Sequence, residues 1–162
     1  MQHRSTRALV IGGTQGLGLA VARRLADEGC TNLAISARDP VKGEAAAGSV
    51  GARFLQADLE DTLSVERMVE AAASRLGGID ALVIAGALTD RGSILDTDHA
   101  CWDRMMTANA RSPFFAIQTA ARLAIEAKEP ASIVNILSMV VHCGQSYLAP
   151  YAASKAALAN IT

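Results

Sequence analysis

Tyr151 and Lys155 lie four residues apart in Tyr151-Ala-Ala-Ser-Lys155. On a helix, residues i and i+4 share one face, so phenol and ammonium would project the same way. A fixed positive charge beside a phenol favours the phenolate and lowers its pKa. The starting point is ~10, and each unit corresponds to about 1.4 kcal/mol of differential stabilisation. A tyrosine tuned in this way can pass a proton near neutral pH. The same spacing also occurs on ordinary solvated helices, so the pair alone does not separate a proton-transfer site from surface. The elements that precede it decide.

Strand-like and helix-like stretches alternate along the chain. Residues 6–11 form a short apolar run that ends in glycines and predicts a buried strand. Residues 16–28 carry apolar positions at helical spacing and stop at Gly29, a helix C-terminal signal. Further strands are predicted over 32–37, 52–57, 80–85 and 132–137. Further helices are predicted over 40–47, from a cap at Asp61 to about Leu76, over 99–128 with a bend near Pro113, and from Tyr151 onward. This alternation predicts an α/β fold: a doubly wound parallel sheet in three α/β/α layers, the Rossmann type. Ligands in such folds bind beyond the carboxyl ends of the strands. The residues just after each strand therefore carry most information.

After the first strand comes Gly12-Gly13-Thr14-Gln15-Gly16-Leu17-Gly18. Glycines permit a tight turn and close approach of backbone to a pyrophosphate. The helix opening at Gly16 then offers free N–H groups and its positive dipole end to the anion. The spacing is not G-x-G-x-x-G, and no Gly-Lys-Ser/Thr of a P-loop follows. In a strand–turn–helix setting it still predicts dinucleotide binding. At the end of the second strand many NAD binders place an acid for the ribose 2′-hydroxyl. Here the sequence is Ser36-Ala37-Arg38-Asp39. Arg38 suits a 2′-phosphate and favours NADP. The neighbouring Asp39 could serve a hydroxyl, which keeps NAD open, and Gln15 stands where a second base would help. Asp58 and Leu59, after the third strand, are candidates for the adenine edge. Ala85 and Gly86, after the fourth, offer small side chains against which a cofactor can lie.

Composition narrows the classes. The 162 residues suggest one domain with a sizeable core. They are 51% hydrophobic and 19% charged, as in a globular protein. Fifteen basic and sixteen acidic residues give a net charge of −1, which forecasts neither a nucleic-acid nor an anionic-membrane surface. Cys30, Cys101 and Cys143 lie far apart, without Cys-x-x-Cys spacing. They fit reduced thiols in a cytoplasmic protein better than a disulfide framework or a zinc site. His3, His99 and His142 form no ligand-spaced cluster, and no metal is expected. No apolar run reaches membrane-spanning length, and no signal-peptide h-region precedes the first strand.

Taken together, the chain resembles the short-chain dehydrogenase/reductase family. The family's T-G-x-x-x-G-x-G aligns on Ile11 to Gly18 with all three glycines present. Its catalytic serine, thirteen residues before its tyrosine, falls on Ser138. Its Y-x-x-x-K falls on Tyr151 and Lys155, and its asparagine in the long helix falls on Asn109. The opening threonine is replaced by Ile11, and N-N-A-G after the fourth strand reads Val83-Ile84-Ala85-Gly86. Members usually run to roughly 250 residues, a normal size for one α/β domain. The expectation is thus a single dinucleotide-binding domain, residues 1–162, incomplete at its C-terminus. The remainder would build most of the substrate lid and oligomer interface.

The resemblance implies hydride transfer between a nicotinamide, NADP(H) favoured and NAD possible, and a carbonyl or alcohol carbon of a small molecule. Tyr151 would be the general acid/base. Lys155 would tune it and bind the ribose, Ser138 would orient the substrate oxygen, and Asn109 would hold a relaying water. Gln145 and Tyr147, in the loop between serine and tyrosine, are weaker candidates for substrate contact. The 3-oxoacyl-carrier-protein reductases and general carbonyl reductases are the kind of member implied, as homodimer or homotetramer. An NAD-dependent alcohol or sugar dehydrogenase is the alternative within the family. A silent dinucleotide sensor or scaffold is the alternative outside catalysis, and the complete Ser-Asn-Tyr-Lys set argues against it.

Overall fold

The computed structural model describes residues 3–161. Five parallel strands, β1 (Arg7–Ile11), β2 (Asn32–Ala37), β3 (Arg53–Gln56), β4 (Ala81–Ile84) and β5 (Ser132–Asn135), form one sheet in the order β3-β2-β1-β4-β5. The order reverses between β1 and β4, so a crevice opens there at the carboxyl ends. Ile11 at the end of β1 lies opposite Ser36 of β2 and Ile84 of β4, which brings the three strand ends level.

Side-chain alternation along the strands sends residues to both faces. Leu9, Ile11, Leu82 and Ile84 pack on one face against α3 (Thr62–Leu76) and α5 (Ser112–Ala127), through Val65, Val69, Ala72, Ala116 and Ala120. Ala8, Val10, Leu33 and Ile35 pack on the other against α1 (Gly16–Asp27) and α2 (Pro40–Val50), through Ala22, Ala46 and Ala47. Burial on both faces explains why β1 and β2 read as continuous apolar runs. The alanines let helix backbones approach the sheet closely. The doubly wound architecture expected from the sequence is the one observed.

Helix starts are chemically marked. Asp39, Asp61 and Asp98 cap α2, α3 and α4 (His99–Met106), each carboxylate accepting from backbone N–H groups of the first turn. The long helical pattern over 99–128 is not one α-helix. It is α4, a π-helical turn at Thr107–Arg111, then α5. Pro113 supplies the reason: it has no N–H to give to the carbonyl of Asn109, and its ring would crowd that carbonyl in an α-helix. A wider turn relieves the clash. β2 spans the whole run predicted for it, β1 starts one residue later, β3 and β4 are trimmed by one residue at each end, and β5 ends two residues earlier. A 3-10 turn (Met139–Val141) and α6 (Ala149–Ile161) complete the described chain. Among the described residues no helix is long and apolar enough to cross a membrane, and no group of three His, Cys, Asp or Glu could hold a metal ion.

Candidate active site

The crevice at the strand ends is a cleft of about 600 Å³. Its walls include Gly12, Thr14, Gln15, Gly16, Leu17, Gly18, Arg38, Asp58, Leu59, Ala85 and Gly86. Every residue expected from the sequence on the cofactor's nucleotide side is thus brought to one place. Ser36, Ala37, Asp39, Lys42, Ala87 and Leu88 share the wall without having been singled out as contacts from the sequence, except Asp39.

Backbone geometry shapes this cradle. Gly12 has φ +80, and a Cβ there would lie 2.4 Å from the Cα of Gly86. Only glycine meets both demands, because an L side chain would be strained and would collide with the β4 end. Gly12 and Gly13 donate their N–H groups to the carbonyl of Ser36 at 2.8 and 3.2 Å, which ties the turn to β2. At the start of α1, Gln15 occupies the cap position but its side chain accepts nothing. The first-turn N–H groups of α1 therefore face the cleft without a side-chain acceptor, unlike those of α2, α3 and α4. That is the polarity an anion needs. The hydroxyl of Ser36 is buried without a hydrogen-bond partner, a further polar group available on this wall. These residues fit a dinucleotide.

The charged rim is more finely arranged than its sequence. The Oδ1 of Asp39 accepts from the N–H groups of Val41 and Lys42 at 2.9 and 3.1 Å, so this carboxylate is engaged as a helix cap. Asp58 Oδ1 likewise accepts from the Glu60 N–H at 3.0 Å, closing a turn while Asp58 stays on the cleft wall. Arg38 is two-thirds exposed and pairs with Glu60 at 3.4 Å. Glu60 also pairs with Arg104 of α4 at 3.2 Å. Lys42 stands free on the rim, with no hydrogen-bond or ionic partner for its ammonium among the described residues. The only sequence signal for it was a lysine four places after the strand-end arginine.

The chemistry-bearing residues gather on the β4–β5 side. α6 packs against both the π turn and the 3-10 turn that follows Ser138, so the three segments that carry Asn109, Ser138, and Tyr151 with Lys155 meet. Lys155 is only 3% exposed, and its Nζ donates to the carbonyl of Ile136 at 2.8 Å. Burial pushes its pKa down from the ordinary lysine value. Ser138 Oγ accepts from the Val140 N–H at 3.4 Å. Asn109 is fully buried. Its Oδ1 accepts from the Leu88 N–H at 2.8 Å, and its Nδ2 donates to the Leu88 carbonyl at 2.8 Å and to Ser154 Oγ at 3.0 Å. The hydroxyl of Ser154 in turn donates to the Tyr151 carbonyl at 2.8 Å. The amide thus joins the cofactor cleft to the helix bearing Tyr151 and Lys155.

Gln145 and Tyr147 are not on the wall of the cofactor cleft. With Arg91 they flank a separate cleft of about 410 Å³. The loop that carries them is tied to the loop after β4, where Gly92 donates to the Tyr147 carbonyl and accepts from the Ala149 N–H, both at 3.0 Å.

This geometry is that of known proteins. The family model described as short chain dehydrogenase matches residues 6–162. The chain belongs to the short-chain dehydrogenase family. A curated relative, 2-dehydro-3-deoxy-D-gluconate 5-dehydrogenase of Dickeya dadantii, is 34% identical over 157 residues, covering 96% of this chain and 62% of the relative. The chain therefore spans about 62% of the length of that relative. A short chain dehydrogenase from Burkholderia cenocepacia in complex with NADP superposes with a TM-score of 0.88 at 31% identity, covering 99% of this chain and 66% of that one. A blue fluorescent protein from a metagenomic library in complex with NADPH superposes with a TM-score of 0.87 at 33% identity, covering 97% and 66%.

Proposed function

We propose that this short-chain dehydrogenase is an NADP(H)-dependent oxidoreductase that interconverts a carbonyl and an alcohol on a small-molecule substrate. The observation that carries the reading is the cleft itself. An uncapped helix start and the Gly12–Gly86 approach supply a pyrophosphate cradle. Arg38 and Lys42 supply positive charge at its far end, and Asp39 is engaged in capping rather than poised for a ribose hydroxyl.

When bound, the nicotinamide supplies or accepts the hydride. In reduction, Tyr151 gives its proton to the oxygen that gains charge. Ser138 donates a hydrogen bond to the same oxygen and fixes its position. Lys155, held by the Ile136 carbonyl, presents a buried ammonium to the ribose hydroxyls and to Tyr151. A water-holding role for Asn109 falls to its backbone carbonyl, because both ends of its amide are engaged and Pro113 offers that carbonyl no N–H.

A second reading, use of NAD with an alcohol or sugar substrate, is favoured by one observation: the Glu60 carboxylate already pairs with Arg38. Free thiols at Cys30, Cys101 and Cys143 fit a cytoplasmic setting, and exposed Trp102 and Phe114 fit a homodimer or homotetramer of the full-length protein. The test of the chemistry is Tyr151→Phe. NADPH binding followed by fluorescence should persist while carbonyl reduction is nearly abolished. Undiminished turnover would sink the assignment.

A further inference from the structure

Around the 2′ end of the cofactor cleft the ionic contacts form a chain. Arg38 on the cleft wall pairs with Glu60 at 3.4 Å, Glu60 with Arg104 at 3.2 Å, and Arg104 with Asp90 at 3.8 Å. Each carboxylate oxygen of Glu60 has its own guanidinium: Oε1 meets Arg38 and Oε2 meets Arg104. Only Arg38 lies in the cleft, and the other three residues reach it in series from the loops after β3 and β4 and from α4. We infer that Glu60 is a specificity-determining residue: it competes with a 2′-phosphate for Arg38 and so limits the preference for NADP over NAD. This rests on the proposed placement of the adenosine 2′ position at Arg38.

Two opposing effects of Glu60 must be weighed. It orients Arg38, which helps any anion that Arg38 binds. It also adds a negative charge beside a site that is to receive a phosphate dianion. The orienting contact is long, exposed and single, and exposed pairs of this kind are weak. Repulsion between a carboxylate and a dianion doubles with the ligand's charge and reaches further than a contact. Repulsion therefore wins, and removing the carboxylate helps NADP. Arg104 tempers the repulsion. It holds the second oxygen of Glu60, so the carboxylate stays neutralised on that side when Arg38 turns to the phosphate. NAD, with a neutral hydroxyl at the same place, feels none of this.

The discriminating experiment measures Kd for NADPH and NADH side by side, by cofactor fluorescence, in four variants. Glu60→Gln should tighten NADPH roughly two- to five-fold, the scale of an exposed ion pair, and leave NADH unchanged. Arg104→Gln should weaken NADPH by a similar factor, again without moving NADH. In the Glu60→Gln background, Arg104→Gln should have a smaller effect on NADPH, because the carboxylate it neutralises beside Arg38 is gone. High salt should shrink each difference. If Glu60→Gln leaves the NADPH:NADH ratio unchanged, or shifts both cofactors equally, the inference is overturned. Arg38→Gln separates this from failure of the underlying reading. A ratio insensitive to Arg38→Gln means the 2′ position lies elsewhere. A ratio that collapses in Arg38→Gln but ignores Glu60→Gln rejects only the role of Glu60.

Discussion

Replacing Asn109 by alanine should damage stability before it damages chemistry. The side chain is fully buried and makes four hydrogen bonds, two to the Leu88 backbone, one to Ser154 and a longer one to Met105 Sδ. Alanine strands the Leu88 N–H and carbonyl together. An unsatisfied polar group costs about 1–3 kcal/mol when buried. Leu88 is only partly buried, so water recovers some of this and the lower half of the range applies to each group. Ser154 retains its bond to the Tyr151 carbonyl and loses little. The sum is about 2–4 kcal/mol, against a typical total stability of about 5–15 kcal/mol. Urea denaturation followed by far-ultraviolet circular dichroism reads this directly. Asn109→Asp sharpens the test. A carboxylate can still accept from the Leu88 N–H but cannot donate to the Leu88 carbonyl or to Ser154, and it buries a charge, so it should be at least as damaging as alanine. A loss below about 1 kcal/mol for alanine, with aspartate milder still, would refute the picture of a clamp between the cleft and α6.

Other outcomes follow from the same contacts. Lys155→Met should abolish turnover without lowering stability at neutral pH. Burial depresses the lysine's folded pKa, so the unfolded chain binds more protons and wild-type stability rises with pH toward the ordinary lysine value; the methionine variant should lack that alkaline rise in a pH series of Tm. Asp80→Asn should flatten the acid end of the same series. Arg7 holds the Asp80 carboxyl below the usual range, so its contribution is present above the ordinary carboxylate pKa and fades as pH falls through the lowered value. At neutral pH the variant should lose about 1 kcal/mol, since Arg7 binds this carboxylate through its backbone N–H as well as its guanidinium. Gly12→Ala should abolish dinucleotide binding in fluorescence titration, because relieving a 2.4 Å approach to the Gly86 backbone must open the cradle.

The sheet was legible because burial on both faces writes itself as apolar runs, and the glycine turn because backbone constraints exclude other residue types. Aspartate was ambiguous for a physical reason. The same carboxylate that accepts from a ribose hydroxyl also accepts from helix N–H groups, so Asp39 and Asp58 could not be separated by type. The π turn was hidden because Thr107–Arg111 carries no residue type that marks a wide turn, and Pro113 by itself pointed only to a bend. Lys42 and Leu88 were missed for opposite causes. Lysine on an exposed helix start looks like solvated surface, and Leu88 contributes its backbone, which has no residue code. Gln145 and Tyr147 were singled out by chain order alone, and the loop tie at Gly92 sets them beside Arg91 on a cleft of their own.

The clamp also bears on how the two halves of the site act together. Leu88 lies on the cofactor cleft, Ser154 sits between Tyr151 and Lys155, and Asn109 holds both. Lys155 is anchored separately to Ile136, two residues before Ser138. Asn109 and Lys155 are thus fixed to backbone that continues from strands of the sheet, at Leu88 after β4 and at Ile136 after β5. Such fixing reduces the reorganisation needed when charge develops on the substrate oxygen, the condition under which oriented donors are most effective. It also explains the wide turn. An α-helical course through Thr107–Arg111 would drive the Pro113 ring against the Asn109 carbonyl, and shifting to avoid it would carry the amide away from Leu88. Replacing Pro113 removes that clash. Pro113→Ala therefore permits regular α-helix at this point, and any such reversion should appear as weaker NADPH binding, because the wall formed by Leu88 loses its support.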